Sequence, residues 1–280
     1  MVNQPWPVWI RSGGWRGSND SSIPLLPALA HEAVAIAADS NVTIAQLARV
    51  VSKDPALATR VIRLANAAYC APLQTVTTIT EAIVRIGTAG VRNLVITVCL
   101  AARGSDAKVY GPSGRDQIDH AIGTAYMAHL VAEQVGWSQD EAFLGGLLHD
   151  VGKLLLLKLA HDYERWNATP IPKDELEDVL TKEHATIGGA LLRSFQFPRH
   201  LVEGVMWHHE PLLSPTFQRE AEVIYFADRL SHRYAFGCVK DDTPLANDVQ
   251  CPRVPSSEQW IQSIDERATG LYAVARRILG

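Results

Sequence analysis

The sequence predicts an all-α fold. Apolar residues recur at helical spacing, and capping residues and prolines fall where helices should begin and end. No segment sustains the period-2 alternation of a half-buried strand. With 280 residues, 47% of them hydrophobic and 20% charged, the chain can bury a sizeable core as one large domain or two smaller ones.

Residues 1–22 are rich in Gly, Ser, Pro and Trp and show no period. They read as a leader arm whose Trp6, Trp9 and Trp15 dock on the domain or a partner, since disordered tails rarely carry such residues. Pro27 suits a first helical turn, and Asp39-Ser40-Asn41 ends that helix. Thr43 with Gln46 reads as a capping box for a helix through Val51. Asp54-Pro55 reads as an N-cap with proline at the first helical position, followed by the apolar stripe Leu57, Val61, Leu64. Thr78 with Glu81 forms a second capping box, Gly87 a stop, and a further helix runs from about 89 to 102. Residues 104–114 are turn-rich and link two halves. A long helix then spans about 115–135, and Ser138 with Glu141 caps the helix that ends at His149-Asp150. Helices also fit about 154–166, 173–182, 184–195, 199–208 and 217–235. Residues 237–257 carry Gly237, Pro244, Pro252 and Pro255 and read as a loop. A last amphipathic helix covers about 257–279, with Trp260, Ile264, Leu271, Val274 and Ile278 on its apolar side.

The formal net charge is −4 and the pI about 6.2, so no global basic field favours nucleic acid. Cys70, Cys99, Cys238 and Cys251 form no C-x-x-C pair and suit a reducing cytoplasm. No signal peptide is evident, and no uncharged apolar run reaches the ~18 residues of a membrane span. Neither a G-x-S-x-G elbow nor a G-x-x-x-x-G-K-[ST] loop occurs, which removes serine-hydrolase and P-loop readings. Residues 43–68 read helix, turn, helix, with Lys53, Thr59, Arg60 and Arg63 available to DNA. The apolar stripe gives the same helices an ordinary packing role, and no clustered basic face supports DNA binding.

Chemistry centres on His149-Asp150, within Gly145-Gly146-Leu147-Leu148-His149-Asp150-Val151-Gly152-Lys153. The other candidates are His120, His184, His208, His209 and Asp228. Each lies on or near the end of an expected helix, so packed helices could project them into one cavity. Imidazole and carboxylate suit iron, manganese or zinc, and one or two divalent ions need about this many ligands. Asp150 could bridge two ions, making it a catalytic as well as a metal residue, while His149 binds one of them. Lys153, one turn on, could meet a phosphate oxygen or leaving group. Asp116, four residues before His120, is a reserve ligand or a partner to that histidine. Taken singly, each has an ordinary alternative. His149-Asp150 could be a buried polar contact, His208-His209 could end a helix, and Asp228 could pair with Arg229 or Arg233. His31, His129, His161, His200 and His232 read as surface or core histidines, and Trp166, Trp207 and Trp260 as core or packing residues.

This ordered set resembles the HD metal-dependent phosphohydrolase superfamily. Lys53-Asp54-Pro55-Ala56-Leu57, Arg63-Leu64-Ala65-Asn66-Ala67 and Ala82-Ile83-Val84-Arg85-Ile86-Gly87 narrow it to the HDOD family, the HD-related output domain of bacterial signalling proteins. Glu183-His184-Ala185 with Gly188, and Phe197-Pro198 before His208-His209-Glu210-Pro211, also match. The resemblance covers about residues 20–235. It implies an HD-like helical bundle at 115–236, an N-terminal helical lobe at 23–103, and a C-terminal loop and helix at 237–280 outside it. It also implies a regulatory module acting on a signalling partner, with metal at His120, His149, Asp150, His184, His208, His209 and Asp228. The complete ligand set, with Lys153, looks more like the catalytic HD-GYP relatives, which hydrolyse cyclic di-GMP. The alternative is therefore a phosphohydrolase acting on a nucleotide or cyclic dinucleotide. After His208-His209-Glu210 the chain reads Pro211-Leu212-Leu213-Ser214-Pro215 rather than Gly-Tyr-Pro, which argues against cyclic di-GMP in particular.

Overall fold

The computed structural model describes residues 43–67, 75–111 and 113–279. The leader arm with its tryptophans, the helix expected to start at Pro27, His31 and Cys70 lie outside them. The regular structure of the described residues is all helical, with no strand among them. They divide into two compact units, one holding Gly104–Ile264 and the other holding residues 43–103 with 265–279.

In the smaller unit, α1 (Ile44–Val51) starts at the expected capping box. Thr43 accepts from Gln46 N, and the Gln46 side chain returns to the Thr43 backbone. Asp54 caps α2 (Pro55–Ala65) through Ala56 N and Leu57 N, with Pro55 in the first turn. Leu57, Val61 and Ala65 form the buried stripe of α2, while Leu64 is only half-buried. The two helices therefore spend their apolar faces on packing. α3 (Ile79–Gly104) begins at the Thr78–Glu81 box and is interrupted at Gly87, where φ is 75° and ψ 164°. A side chain there would be strained, so glycine marks the break. By length and composition α3 could cross a membrane, but 56% of its most apolar window is buried, including Val91, Val95, Ile96 and Leu100.

The larger unit contains α4 (Ala107–Tyr110), α5 (Ser113–Val135), α6 (Gln139–Leu148), α7 (Val151–Asn167), α8 (Lys173–Ser194), α9 (Arg199–Met206) and α10 (Gln218–Arg233). A 3₁₀ turn, Pro211–Leu213, separates α9 from α10, and α11 (Glu258–Leu279) starts in this unit. α5 packs on α6 and α10, α8 packs on α7 and α9, and α9 and α10 also meet α6. Met127, Leu130, Leu144 and Phe226 are fully buried at the heart of this bundle.

Three expectations need correction. The pair of helices expected at 173–182 and 184–195 is one helix, α8, because neither proline nor glycine interrupts it near residue 183. Trp166 is 85% exposed rather than packed. The turn-rich 104–114 stretch contains the short α4, capped by Asp106 through Lys108 N.

The 237–257 segment is irregular, as expected, yet firmly seated. Leu245, Cys251 and Val254 are buried, Arg229 and Tyr225 hold Asp248, and Arg253 holds Glu222. Trp260 packs beside Phe226 with ring centroids 5.7 Å apart.

Candidate metal centre

The break between α6 and α7 creates the centre. His149 ends α6 and Asp150 occupies the N-cap of α7. An N-cap aspartate normally bonds the first turn of its own helix. Asp150 makes no such bond. Its carboxylate turns inward instead. Asp150 Oδ1 lies 3.2 Å from His184 Nε2 and 3.9 Å from His208 Nε2. Oδ2 lies 3.3 Å from His149 Nε2, 3.8 Å from His120 Nε2 and 2.6 Å from Lys153 Nζ. One carboxylate thus addresses two clusters of imidazole nitrogens.

The first cluster is His184, His208 and His209. His184 projects from the middle of α8, and the histidine pair follows the end of α9. His209 Nε2 is 2.9 Å and His208 Nε2 3.4 Å from His184 Nε2. The second cluster joins His120 of α5, His149 and Asp228 of α10. Asp228 Oδ1 is 2.9 Å from His120 Nε2 and 3.7 Å from His149 Nε2.

Close packing brings α7 and α8 into register. A Cβ on Gly152 would sit 2.0 Å from the His184 carbonyl oxygen, so only glycine permits this approach.

The histidines are aimed by their other nitrogen. Nδ1 of His149 faces the Gly146 carbonyl at 2.7 Å, and Nδ1 of His208 faces that of Val205 at 2.7 Å. His184 Nδ1 faces the Leu180 carbonyl at 2.6 Å, and His120 Nδ1 faces that of Phe236 at 3.3 Å. Only an N–H makes such a contact favourable, so His149, His184 and His208, when neutral, each present a bare Nε2 lone pair to the interior, while His120 turns its Nε2 to Asp228 at 2.9 Å. Lone pairs facing one another and a carboxylate repel unless a cation lies between them. In keeping with this, His149 Nε2 and Asp150 Oδ1 are buried without a hydrogen-bond partner. Buried polar atoms are rarely left so. The donor set and these orphaned atoms fit one or two divalent cations.

Burial lowers the His184 pKa to about 4 and pushes His208 well below the ordinary imidazole value. Both therefore stay neutral and available as ligands. Burial acts against charge on Asp150 too, but His149, Lys153 and His184 hold its carboxyl well below the usual range. Burial likewise opposes a charge on His120, yet Asp228, Cys238 and Asp150 outweigh it and raise that pKa to about 10.

All the expected site residues converge except Asp116, which is exposed; the carboxylate beside His120 is that of Asp228. Lys153 is part of the centre through its ion pair with Asp150. Two members were not expected at the centre: His232, which the sequence reads as an ordinary surface or core histidine, and Cys238. His232 lies 3.6 Å from Asp228 Oδ1, and its ring centroid is 5.0 Å from that of His120. Cys238 joins His120 and His232 in a cluster. Burial opposes ionisation of its thiol, but His120 and His232 bring it down to about 7. The spacing Asp228-x-x-x-His232 on one helix was the legible sign for His232; nothing in the sequence pointed to Cys238.

Known proteins share this architecture. Over 98% of its length the chain superposes, at TM-score 0.72 and 18% identity, on 96% of a candidate metal-dependent phosphohydrolase from Shewanella amazonensis SB2B. A candidate signal transduction protein from Marinobacter aquaeolei VT8 matches 92% of the chain and 59% of its own, at TM-score 0.66 and 20% identity. At these identities the likeness shows the fold. In sequence, ribonuclease Y of Thermosipho melanesiensis is 32% identical over 120 residues, covering 42% of this chain and 19% of that protein. The chain spans between 19% and 37% of the length of the curated relatives it first matches. The HDOD domain matches residues 23–211, a stretch that contains both capped helices of the smaller unit and the candidate site residues from His120 to His209. By that match, the chain belongs to the HDOD domain family.

Proposed function

We propose that this HDOD chain is a metal-bearing module of bacterial signal transduction whose centre hydrolyses a phosphoester, with a nucleotide or cyclic dinucleotide as the substrate class. One observation carries the reading. Asp150 faces both nitrogen clusters, and its Oδ1 has no hydrogen-bond partner despite full burial. That is the arrangement a carboxylate needs to span two cations.

When bound, such cations polarise phosphoryl oxygens and activate water. The chain supplies the rest. His184, His208 and His209 would hold one cation, His120, His149 and Asp228 a second, and Asp150, which faces both clusters, would be a ligand available to either. Lys153 keeps an ammonium beside Asp150, with about a quarter of its side chain exposed, where it can turn to a phosphate oxygen. Relatives named as a candidate metal-dependent phosphohydrolase and as ribonuclease Y support phosphoester chemistry.

A second reading is a regulatory module that works by contact with a signalling partner. It is favoured by the 3₁₀ turn Pro211–Leu213 that follows His208-His209-Glu210, and by the Lys153 ammonium that already pairs with Asp150 Oδ2 at 2.6 Å.

Metal analysis of protein purified without oxygen, followed by a screen of phosphodiesters and phosphomonoesters with manganese, iron or zinc, separates the two. The hydrolase reading expects bound metal and turnover that Asp150→Ala abolishes. Bound metal with no turnover gives the contact reading. Less than about 0.2 ion per chain, unchanged by Asp150→Ala, removes the metal from both.

A further inference from the structure

We infer that Cys238 and His232, with His120 and Asp228, form a thiolate-containing seat for a soft divalent cation of the zinc type, on the α10 side of the centre. The ligating atoms of His120, His232 and Cys238 lie within 4.8 Å of one another. Asp228 Oδ1 is 2.9 Å from His120 Nε2 and 3.6 Å from His232 Nε2. Two imidazole nitrogens, one sulfur and one carboxylate oxygen make a four-ligand set. Sulfur and imidazole together select zinc over magnesium, calcium or manganese.

The seat is built rather than incidental. His232 Nδ1 faces the Val239 carbonyl at 3.1 Å, which leaves Nε2 free to point at Asp228, the same aiming device used by the other histidines. His232 and Asp228 share a face of α10, four residues apart. Cys238 is delivered by the turn that leaves α10. Gly237 has φ +64°, and a Cβ there would lie 2.4 Å from both Asp116 O and His120 N. The turn is therefore pressed against the backbone of α5 directly beside His120. Phe236, one residue earlier, accepts from His120 Nδ1 and packs on Gly123. The residue before Cys238 thus meets the His120 backbone, and the one before that orients its ring. The Cys238 sulfur faces His120 and His232 and also lies 3.6 Å from the Ser231 carbonyl, so it already sits among the nitrogens that would share a cation with it, and binding would release its proton to water.

The consequence is competition. His120 has one nitrogen to offer a cation, because Phe236 engages the other. A cation seated on Cys238 takes His120 and Asp228 from the position they share with His149 and Asp150. A thiophilic ion and a harder ion are therefore rivals for this edge of the centre. The inference rests on the metal reading above only in sharing those two ligands.

Cobalt(II) titrated into metal-stripped full-length protein tests it, because a thiolate ligand adds sulfur-to-cobalt charge-transfer absorption in the near ultraviolet. The band should appear in the wild type. It should vanish in Cys238→Ser and Cys238→Ala while cobalt still binds the histidine cluster, and it should weaken in His232→Gln. Cobalt bound by the wild type without the band overturns this inference and leaves the dinuclear reading standing. No bound cobalt at all overturns both. A band that survives Cys238→Ser assigns the thiolate to another cysteine and also overturns it. The wild-type spectrum suffices to refute the inference even if a variant fails to fold.

Discussion

A buried carboxylate is costly unless its lone pairs are used, and Glu203 uses both oxygens. Oε1 accepts from Arg199 Nε at 2.7 Å. Oε2 accepts from Thr216 N at 3.0 Å, Phe217 N at 3.2 Å and Ser214 Oγ at 3.2 Å. This one side chain takes three of the bonds that hold the segment between His209 and α10; Arg199 and Gln218 add others, to Thr216 Oγ1 and the Leu212 carbonyl. Burial would raise its pKa, but Arg199 and the two backbone N–H groups lower it below the ordinary value. The folded protein therefore binds this proton less readily than the unfolded chain. The stabilisation is full above the usual glutamate pKa of ~4.3 and drains away as pH falls through the depressed value. Glu203→Gln should cost about 2 kcal/mol at neutral pH and flatten the acid limb of a denaturation series, read by urea melts between neutrality and acid. Single residues were the least legible scale of the sequence. His149-Asp150 and its partners were readable because motif order marks them. Cys238 was not, because its role depends on a left-handed glycine and a turn that close it onto a helix distant in sequence.

Helix starts were legible to the residue where a side chain caps the backbone, at Thr43, Asp54 and Thr78. Continuity was harder to read, as α8 shows, since its length is set by packing against α7 and α9 rather than by punctuation. Ser138 caps α6 as expected through Glu141 N, but the Glu141 carboxylate serves Trp137 Nε1 and His200 instead of closing a box. The α7–α8 contact is the most demanding element-scale feature. Gly152→Ala places a methyl group against the His184 carbonyl and should destabilise by about 1–3 kcal/mol or more, with metal affinity falling as His184 is displaced. Gly270→Ala in α11 meets nothing within 4 Å and should stabilise by about 0.4–1 kcal/mol. Melting temperatures of the two variants should move in opposite directions; equal losses would mean that the α7–α8 contact is looser than its geometry.

At the scale of the whole molecule, the all-α class followed from spacing and caps, while the seating of residues 237–257 did not. That segment is held by Arg229–Asp248 and Arg253–Glu222, pairs that no periodicity announces. The centre draws its candidate ligands from α5 through α10, so a cation bound there would stabilise the unit that carries it. At a free concentration a hundredfold above Kd the gain is about 2.7 kcal/mol. A chelator should lower the calorimetric melting temperature of wild-type protein and leave that of Asp150→Ala unmoved. The Nδ1 contacts of His149, His184 and His208 carry a further consequence. Each runs to a carbonyl three or four residues back along the same chain segment, so the direction of every lone pair is fixed within its own helix. The distance between lone pairs is fixed by how closely the helices pack. Direction is local and distance is global, which makes the centre a gauge of helix separation. Whatever pulls α7 from α8 must loosen the ion, and by reciprocity the ion resists that pull with the same free energy.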